Sequence, residues 1–178
     1  APWGNSPGSP ENILLQDFRP VSLFKSAESN ITRAKFPAID VHTHAWSPQT
    51  DLNSLVQRMQ AANVEKSIVL SFETGAAFDA LIHQFSPFKP YFDLWCGFDY
   101  TGYDQPGSNW IDHALAELER CHRAGASGVG ELGDKGLGEY YSRPTPGYGM
   151  HINDQRLQPL FDRCGQLSMP VSIHVADP

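Results

Sequence analysis

The amino-acid sequence predicts an α/β fold with a parallel sheet. From about residue 37 onward, five short apolar runs alternate with four segments that carry apolar residues at helical spacing. Strands that alternate with helices form right-handed βαβ units, which build parallel sheets. One unit takes about 33 residues here, so eight units would fill the roughly 250 residues of a (β/α)8 barrel. The pattern predicts either a TIM-type barrel, of which this chain carries about the first five βα units, or a complete open sheet.

The five strands are predicted from the runs PAIDVHTH, EKSIVLSF, YFDLWCGF, SGVGEL and PVSIHV. The second run is apolar enough to indicate a buried strand. We expect these strands at residues 37–44, 65–72, 91–98, 127–132 and 170–175.

Four helices are expected near residues 51–62, 76–84, 110–123 and 154–167. Asp51 or Thr50 can cap the first helix, because a side-chain oxygen there accepts from an amide of the first turn. Three of the helices carry clear apolar stripes: Leu52, Leu55, Val56 and Met59 in the first, Ile111, Leu115, Leu118 and His122 in the third, and Leu157, Leu160, Phe161 and Cys164 in the fourth.

Composition restricts the class of protein. Hydrophobic residues make up 40% of the 178 residues and charged residues 19%, which is typical of a globular chain. A net charge of −7 without a basic cluster argues against nucleic-acid binding, and no apolar run reaches the roughly 20 residues of a membrane-spanning helix. Three widely spaced cysteines without a CxxC pair indicate neither a disulfide framework nor a zinc knuckle.

Two parts are expected along the chain. Residues 1–36, which begin with a segment rich in Pro, Gly, Ser and Asn, should form an N-terminal arm, and residues 37–178 the barrel domain, incomplete at its C-terminal side. Because the fifth strand would leave an open edge, we expect the polypeptide to continue, or a partner chain such as a second copy to cover that edge. The chain begins with Ala1 rather than Met, so both a cytoplasmic location and export after signal cleavage stay open.

Polar side chains end three of the predicted strands. Side chains alternate between the faces of a strand, so His42 and His44 point to the same side. Glu131 ends the fourth strand and His174 the fifth, and the carboxyl ends of all strands in a parallel barrel meet at one rim. His42 and His44 alone would be equally consistent with ordinary core histidines, but four such groups at one rim predict a site for one or two divalent ions. Nitrogen and oxygen ligands favour zinc, with Mn, Fe or Ni as alternatives.

Three segments, AKFPAIDVHTH, GASGVGELGDKG and MPVSIHVADP, resemble the amidohydrolase superfamily, in particular its amidohydrolase-2-type metal-dependent hydrolases. The resemblance runs from about residue 37 to the end of the chain and covers the front half to two-thirds of such a protein. It implies a TIM barrel in which His42, His44, Glu131 and His174 bind metal, with Glu131 where many members carry a carboxylated lysine. It also implies a histidine after a sixth strand and an aspartate after an eighth.

Residues near the predicted rim are candidates for substrate contact. We expect Trp46, Lys135 and Asp177 in this role, although a packed loop aromatic, a solvated lysine and a turn or cap residue are the ordinary interpretations. Residues 133–153, rich in Gly and Pro, are expected to form a long loop that could fold over the mouth. Weaker candidates are Asp134 and Asp177 for proton relay, and Glu73 and Asp99 for substrate contact.

The expected function is that of a metal-dependent hydrolase. A metal-activated water would attack the carbonyl of a small amide, lactone or ester, and Glu131 would bridge two ions or hold the proton of that water. Three alternatives stay open: a decarboxylase of the same superfamily, a TatD-like nuclease, which the net charge of −7 disfavours, and a non-catalytic barrel fragment with a structural metal.

Residues 128–133 match the dinucleotide-binding pattern G-x-G-x-x-G, but no helical period follows them, so a dinucleotide site is not predicted.

Overall fold

The computed structural model describes residues 14–17, 19, 29–44, 47–133, 135–138 and 141–175. The chain divides into two units, residues 1–31 and 32–178. The described part of the first unit includes a short 3-10 helix, Leu15–Asp17. The elements below all belong to the second unit.

The second unit is an α/β fold, as the sequence predicts. Every predicted element is present with ends within two residues of the expected ones, except that the fourth helix begins with a 3-10 turn, Gln155–Leu157. The strands are β1 (Ala38–Thr43), β2 (Val64–Leu70), β3 (Phe92–Cys96), β4 (Gly128–Gly133), β5 (Lys135–Leu137), β6 (Tyr148–His151) and β7 (Val171–His174). The α-helices are α1 (Leu52–Ala62), α2 (Gly75–Phe85), α3 (Trp110–Ala124) and α4 (Gln158–Gln166).

Five of the strands form one parallel sheet, in the order β1-β2-β3-β4-β7. Each neighbouring pair is joined by a crossover that contains one α-helix, so the carboxyl ends of all five strands lie at the same edge of the sheet. The sheet curls like half of a barrel, and side chains of β1 and β4 meet on its concave side.

One apolar core lies between the convex side of the sheet and the helices. Asp51 caps α1 as predicted, because its side chain accepts from the Ser54 amide, and the apolar stripe of each helix packs onto the strands. None of the described helices is both long and apolar enough to cross a membrane. The core includes Val69, Leu94 and Val129 from the strands and Val56, Phe78, Leu118 and Leu160 from the helices.

The predicted stripe of α3 is wrong in its detail. The buried residues of this helix are Trp110, Ala114, Leu118 and Cys121, and Ile111 and Leu115 pack only partly buried against the core. The stripe is rotated toward Ala114 and Cys121, which are completely buried, and toward Trp110, which stacks on Tyr100.

The prediction of a long loop at residues 133–153 is also wrong. This segment contains the antiparallel pair β5–β6. A side chain at Gly136 would meet the Cα of Gly149 at 2.9 Å, so this ribbon requires the glycine that favoured a loop in the sequence.

The two edge strands of the parallel sheet are less covered than the middle ones. Ile39 and Val41 of β1 are 59% and 65% exposed, and Ile173 and Val175 at β7 are also exposed. These apolar residues alternate with His42 and His174, so they lie on the convex side. The polar side chains therefore face the concavity.

Candidate metal centre

β1 carries two imidazoles to the carboxyl edge of the sheet. The carboxylate of Asp40 holds the strand end in place, because its Oδ1 accepts from the His42 amide (3.1 Å) and its Oδ2 accepts from the hydroxyl of Ser67 in β2 (3.0 Å). His42 and His44 point to the same side, as the alternation predicts, and their Nε2 atoms lie 3.1 Å apart.

A register shift in β4 directs Glu131 to the same place. The pairing of β4 with β7 is irregular between Val129 and Leu132, and both of these apolar residues are buried in the core. Glu131 lies between them on the opposite side, since a bulge changes which side chain faces the core. Its side chain is only 5% exposed, and a buried carboxylate requires polar partners.

His42, His44 and Glu131 bring three ligand atoms together. Oε2 of Glu131 lies 3.4 Å from Nε2 of His42 and 3.5 Å from Nε2 of His44. Zinc binds imidazole nitrogen at about 2.0–2.1 Å, which places two ligands of a tetrahedral site about 3.3 Å apart. The three atoms already have this spacing. Among the described residues, this is the one group of three His, Cys, Asp or Glu side chains that could hold a metal ion.

The curl of the sheet creates this group. β2 and β3 lie between β1 and β4, and neighbouring strands are about 4.8 Å apart, so a flat sheet would separate β1 and β4 by about 14 Å. The length of the two side chains and the curl of the sheet together reduce this gap to 3.4 Å between the imidazole of His42 and the carboxylate of Glu131. The site thus depends on the fold of the whole sheet.

His174 forms a hydrogen bond with the other carboxylate oxygen of Glu131, Oε1. Its Nδ1 donates to Oε1 at 2.7 Å, and its position in β7 is paired with Gly133 of β4. All four residues expected at the rim are therefore in one cluster. His42 and His44 contact one carboxylate oxygen and His174 the other, so the assignment of His174 as a direct ligand stays a prediction.

A backbone contact orients the ring of His44. Its Nδ1 donates to the carbonyl oxygen of Leu70, at the end of β2, at 3.2 Å. A proton on Nδ1 leaves the lone pair on Nε2, the nitrogen that faces His42 and Glu131. Histidines that bind metals are usually held in this way by their second nitrogen.

Phe72 forms one wall of the centre. Its ring stacks on that of His44, with 5.4 Å between the centroids. The residue has a φ of 60°, a left-handed conformation that is unfavourable for a side chain of this size. Its amide donates to the Gly130 carbonyl, and a Cβ at Gly97 would lie 2.2 Å from the Phe72 carbonyl oxygen. Close backbone packing around Phe72 thus maintains the strained conformation.

Tyr141 forms the second wall. Its ring lies 4.9 Å from that of His174 and meets the ring of Phe72 edge-on at 6.1 Å. Neither Tyr141 nor Phe72 is among the residues predicted from the sequence. Tyr141 lies between β5 and β6, in a segment without a helical or strand period, and its position follows from the ribbon rather than from a motif.

The weaker candidates differ in position. Glu73 is half-buried beside Arg143, with 3.6 Å between Oε1 and Nε; burial raises its pKa and the charge of Arg143 partly offsets this. Asp99 accepts from Nε2 of His113 (3.1 Å) and from the Thr101 amide (2.8 Å), so it stabilises the turn that follows β3.

Four other candidates cannot be compared with the structure. Lys135 is in β5, but its side chain lies outside the described residues, as do Trp46, Asp134 and Asp177.

The three cysteines are buried free thiols, and His83 and His122 lie on α2 and α3 as predicted.

The chain matches no protein-family model and no curated protein. The case for a metal centre is therefore the arrangement of His42, His44 and Glu131 itself.

Proposed function

We propose that the chain forms the first five βα units of a TIM-type (β/α)8 barrel and acts as a metal-dependent hydrolase of the amidohydrolase type. The observation that carries this proposal is the spacing of 3.1–3.5 Å among the nitrogen and oxygen atoms of His42, His44 and Glu131. The position of these residues at the carboxyl ends of parallel strands supports it, since barrel enzymes carry their active sites at that end.

Zinc is the proposed ion, because two imidazoles and one carboxylate are ligands typical of catalytic zinc. A divalent ion in this place lowers the pKa of a bound water towards roughly 7 and polarises a carbonyl oxygen. His42 and His44 would hold the ion through Nε2, and Glu131 through Oε2. When bound, the ion would supply the Lewis acid for this chemistry, and the concavity beside the three residues would receive water and substrate.

Glu131 and His174 would move the proton in hydrolysis. Oε1 of Glu131 and Nδ1 of His174 are 2.7 Å apart and can share a proton at the edge of the site. When water adds to the carbonyl carbon, Oε1 of Glu131 would accept its proton on the lone pair that the His174 Nδ1–H does not use. When the C–N or C–O bond breaks, the pair returns the proton to the leaving amine or alcohol. The products are a carboxylic acid and that amine or alcohol.

The experiment measures zinc affinity and then hydrolysis. The full chain is treated with a chelator, dialysed and titrated with Zn²⁺ in a calorimeter. We expect about one equivalent to bind, and His42→Ala, His44→Ala and Glu131→Gln each to weaken binding by roughly 100-fold or more, since each removes a ligand. His83→Ala is the matched control, because His83 is an exposed histidine on α2.

The zinc-loaded protein is then assayed with p-nitrophenyl esters, lactones and anilides, and in parallel for release of carbon dioxide from aromatic carboxylates and for cleavage of DNA. Hydrolysis that is lost in Glu131→Gln supports the proposal. Zinc affinity that is equal in the wild type and His42→Ala contradicts it, and so does carbon dioxide release or DNA cleavage without hydrolysis.

A further inference from the structure

A cavity of about 320 Å³ lies along helix α2. Its lining comes from three parts of the fold: Pro48 after β1, Glu73 and helix α2 after β2, and Arg143 from the segment between β5 and β6. The helix contributes Ala77, Ala80, Leu81 and Gln84, which recur at helical spacing and share one face. The volume suits a small organic group.

Arg143 is held in this cavity by its surroundings. The buried hydroxyl of Thr74 donates to the Arg143 carbonyl at 2.9 Å, which attaches the segment to the start of α2. The neighbouring Ser142 is also buried; its hydroxyl donates to Gly138 (2.8 Å) and accepts from the Gly147 amide (2.7 Å). Arg143 therefore projects from an ordered turn.

The ion pair with Glu73 leaves part of the guanidinium group for a ligand. Nε of Arg143 lies 3.6 Å from Oε1 of Glu73, and the side chain of Arg143 is 44% exposed. A guanidinium group has two terminal nitrogens besides Nε, and these can bind both oxygens of a carboxylate. Glu73 would thus orient the plane of Arg143.

Two residues that line the cavity are close in the chain to the two aromatic walls of the metal centre. Glu73 follows Phe72, whose ring stacks on His44, and Arg143 lies two residues after Tyr141, whose ring packs on His174. The backbone therefore joins both charged residues of the cavity to the walls of the metal centre.

We infer that this cavity binds a carboxylate at the end of a short apolar chain, with Arg143 as its partner and Ala77, Ala80 and Leu81 in contact with the chain. The inference deepens the proposed function and rests on it for the role of the site: because the backbone joins Glu73 and Arg143 to the walls of the centre, we expect the substrate to be a carboxylated amide, ester or lactone. The binding of the carboxylate itself does not depend on a metal.

The test uses the metal-free full chain and hexanoate as the probe, with neutral hexanamide for comparison. Both are titrated into the protein while amide signals are followed by NMR. We expect hexanoate to bind about tenfold or more tightly than hexanamide, because a charged hydrogen-bonded pair is worth at least about one decade of affinity. Arg143→Met should abolish this preference, and Arg143→Lys should retain part of it.

Arg123→Met is the matched control, because Arg123 is exposed and also lies 3.6 Å from a glutamate, Glu119, but on α3 away from the cavity. It should leave the preference unchanged. Equal binding of hexanoate by the wild type and Arg143→Met would overturn the inference. It would also be overturned if Arg123→Met lost the preference for hexanoate as completely as Arg143→Met. His42→Ala separates the two proposals: it should lose zinc and keep the preference for hexanoate, and loss of that preference would overturn the assignment to the cavity.

Discussion

The middle strands of the parallel sheet and its two edge strands are covered to very different degrees. Val69 and Val129, in β2 and β4, are completely buried under the helices, whereas Val41 in β1 is 65% exposed. Yet the candidate metal centre combines both regions, with Glu131 from the middle and His42, His44 and His174 from the edges. The middle strands therefore supply the stable core and the carboxylate, and the edges supply the imidazoles.

This difference also suggests how metal binding and folding are coupled. Glu131 is fixed by a buried strand, whereas His42 lies in β1 and His44 directly after it, and among the described residues β1 pairs with one strand, β2. An ion bound between them would connect β1 to β4 across two strands. The ion would stabilise the edge strand β1, as burial in the core stabilises the middle strands.

The largest effect is expected in the middle. Leu118 of α3 is 1% exposed and packs in the core, so Leu118→Ala should lower the free energy of unfolding by about 3 kcal/mol through lost burial and the cavity left behind. Urea unfolding measures this. A loss below about 1 kcal/mol would show that the helical layer is not tightly packed and would remove the basis of the comparison.

Zinc should stabilise the chain by a similar amount through the edge. At a free zinc concentration of 100 times Kd, the free energy of unfolding should rise by about 2.7 kcal/mol. Glu131→Gln keeps the side-chain shape and should lose most of this gain. Thermal unfolding with and without zinc checks the difference, and Glu65→Gln, an exposed change on β2, is the control. An equal zinc effect in both variants would mean that the ion binds elsewhere.

The helical layer over the middle strands should also respond to acid. Burial disfavours the ionised form of Glu117, but hydrogen bonds from Arg120 and from the Gly75 amide outweigh this and lower its pKa to about 2. Because the folded pKa is below the ordinary value of 4.5, the stabilisation is present above pH 4.5 and is lost as the pH falls towards 2.

Glu117→Gln should therefore be less stable than the wild type by about 2 kcal/mol at pH 7 and by much less near pH 3. Urea unfolding at several pH values gives this difference directly. A difference that stays constant with pH would contradict the role of the Glu117 charge.

The smallest effect is expected at the edge. Val41→Thr replaces a methyl group by a hydroxyl on an exposed side chain and should change the free energy of unfolding by less than about 0.5 kcal/mol. The same substitution at Val129, which is completely buried, should cost at least about 1 kcal/mol, because the hydroxyl loses its contact with water. If the two variants lose equal stability, β1 is covered in solution.

The sequence predicted the sheet, its helices and the cluster at its rim, because these follow from local periods and from the rule that parallel strands end at one edge. It could not predict the register shift that turns Glu131 away from Val129 and Leu132. Simple alternation would place Val129 and Glu131 on the same face, and nothing in the run GVGEL marks the irregularity.

Phe72, Tyr141 and Arg143 were missed for a different reason. Their positions depend on contacts between segments that are far apart in the chain, such as the hydrogen bond from Thr74 to the Arg143 carbonyl. The rotated stripe of α3 was missed because a helical period defines an apolar face only within about one residue. Small residues such as Ala114 decide the final orientation through close packing.

The packing of Gly97 against Phe72 determines which substitutions the metal centre can tolerate. Position 97 has no side chain and touches no candidate ligand, yet the added methyl of an alanine would displace the Phe72 carbonyl and, through the stacked ring, the imidazole of His44. In a library of random variants, this glycine should tolerate exchange as poorly as a histidine of the centre. Selection for the metal centre would then also preserve glycine at position 97, because a side chain there would displace Phe72.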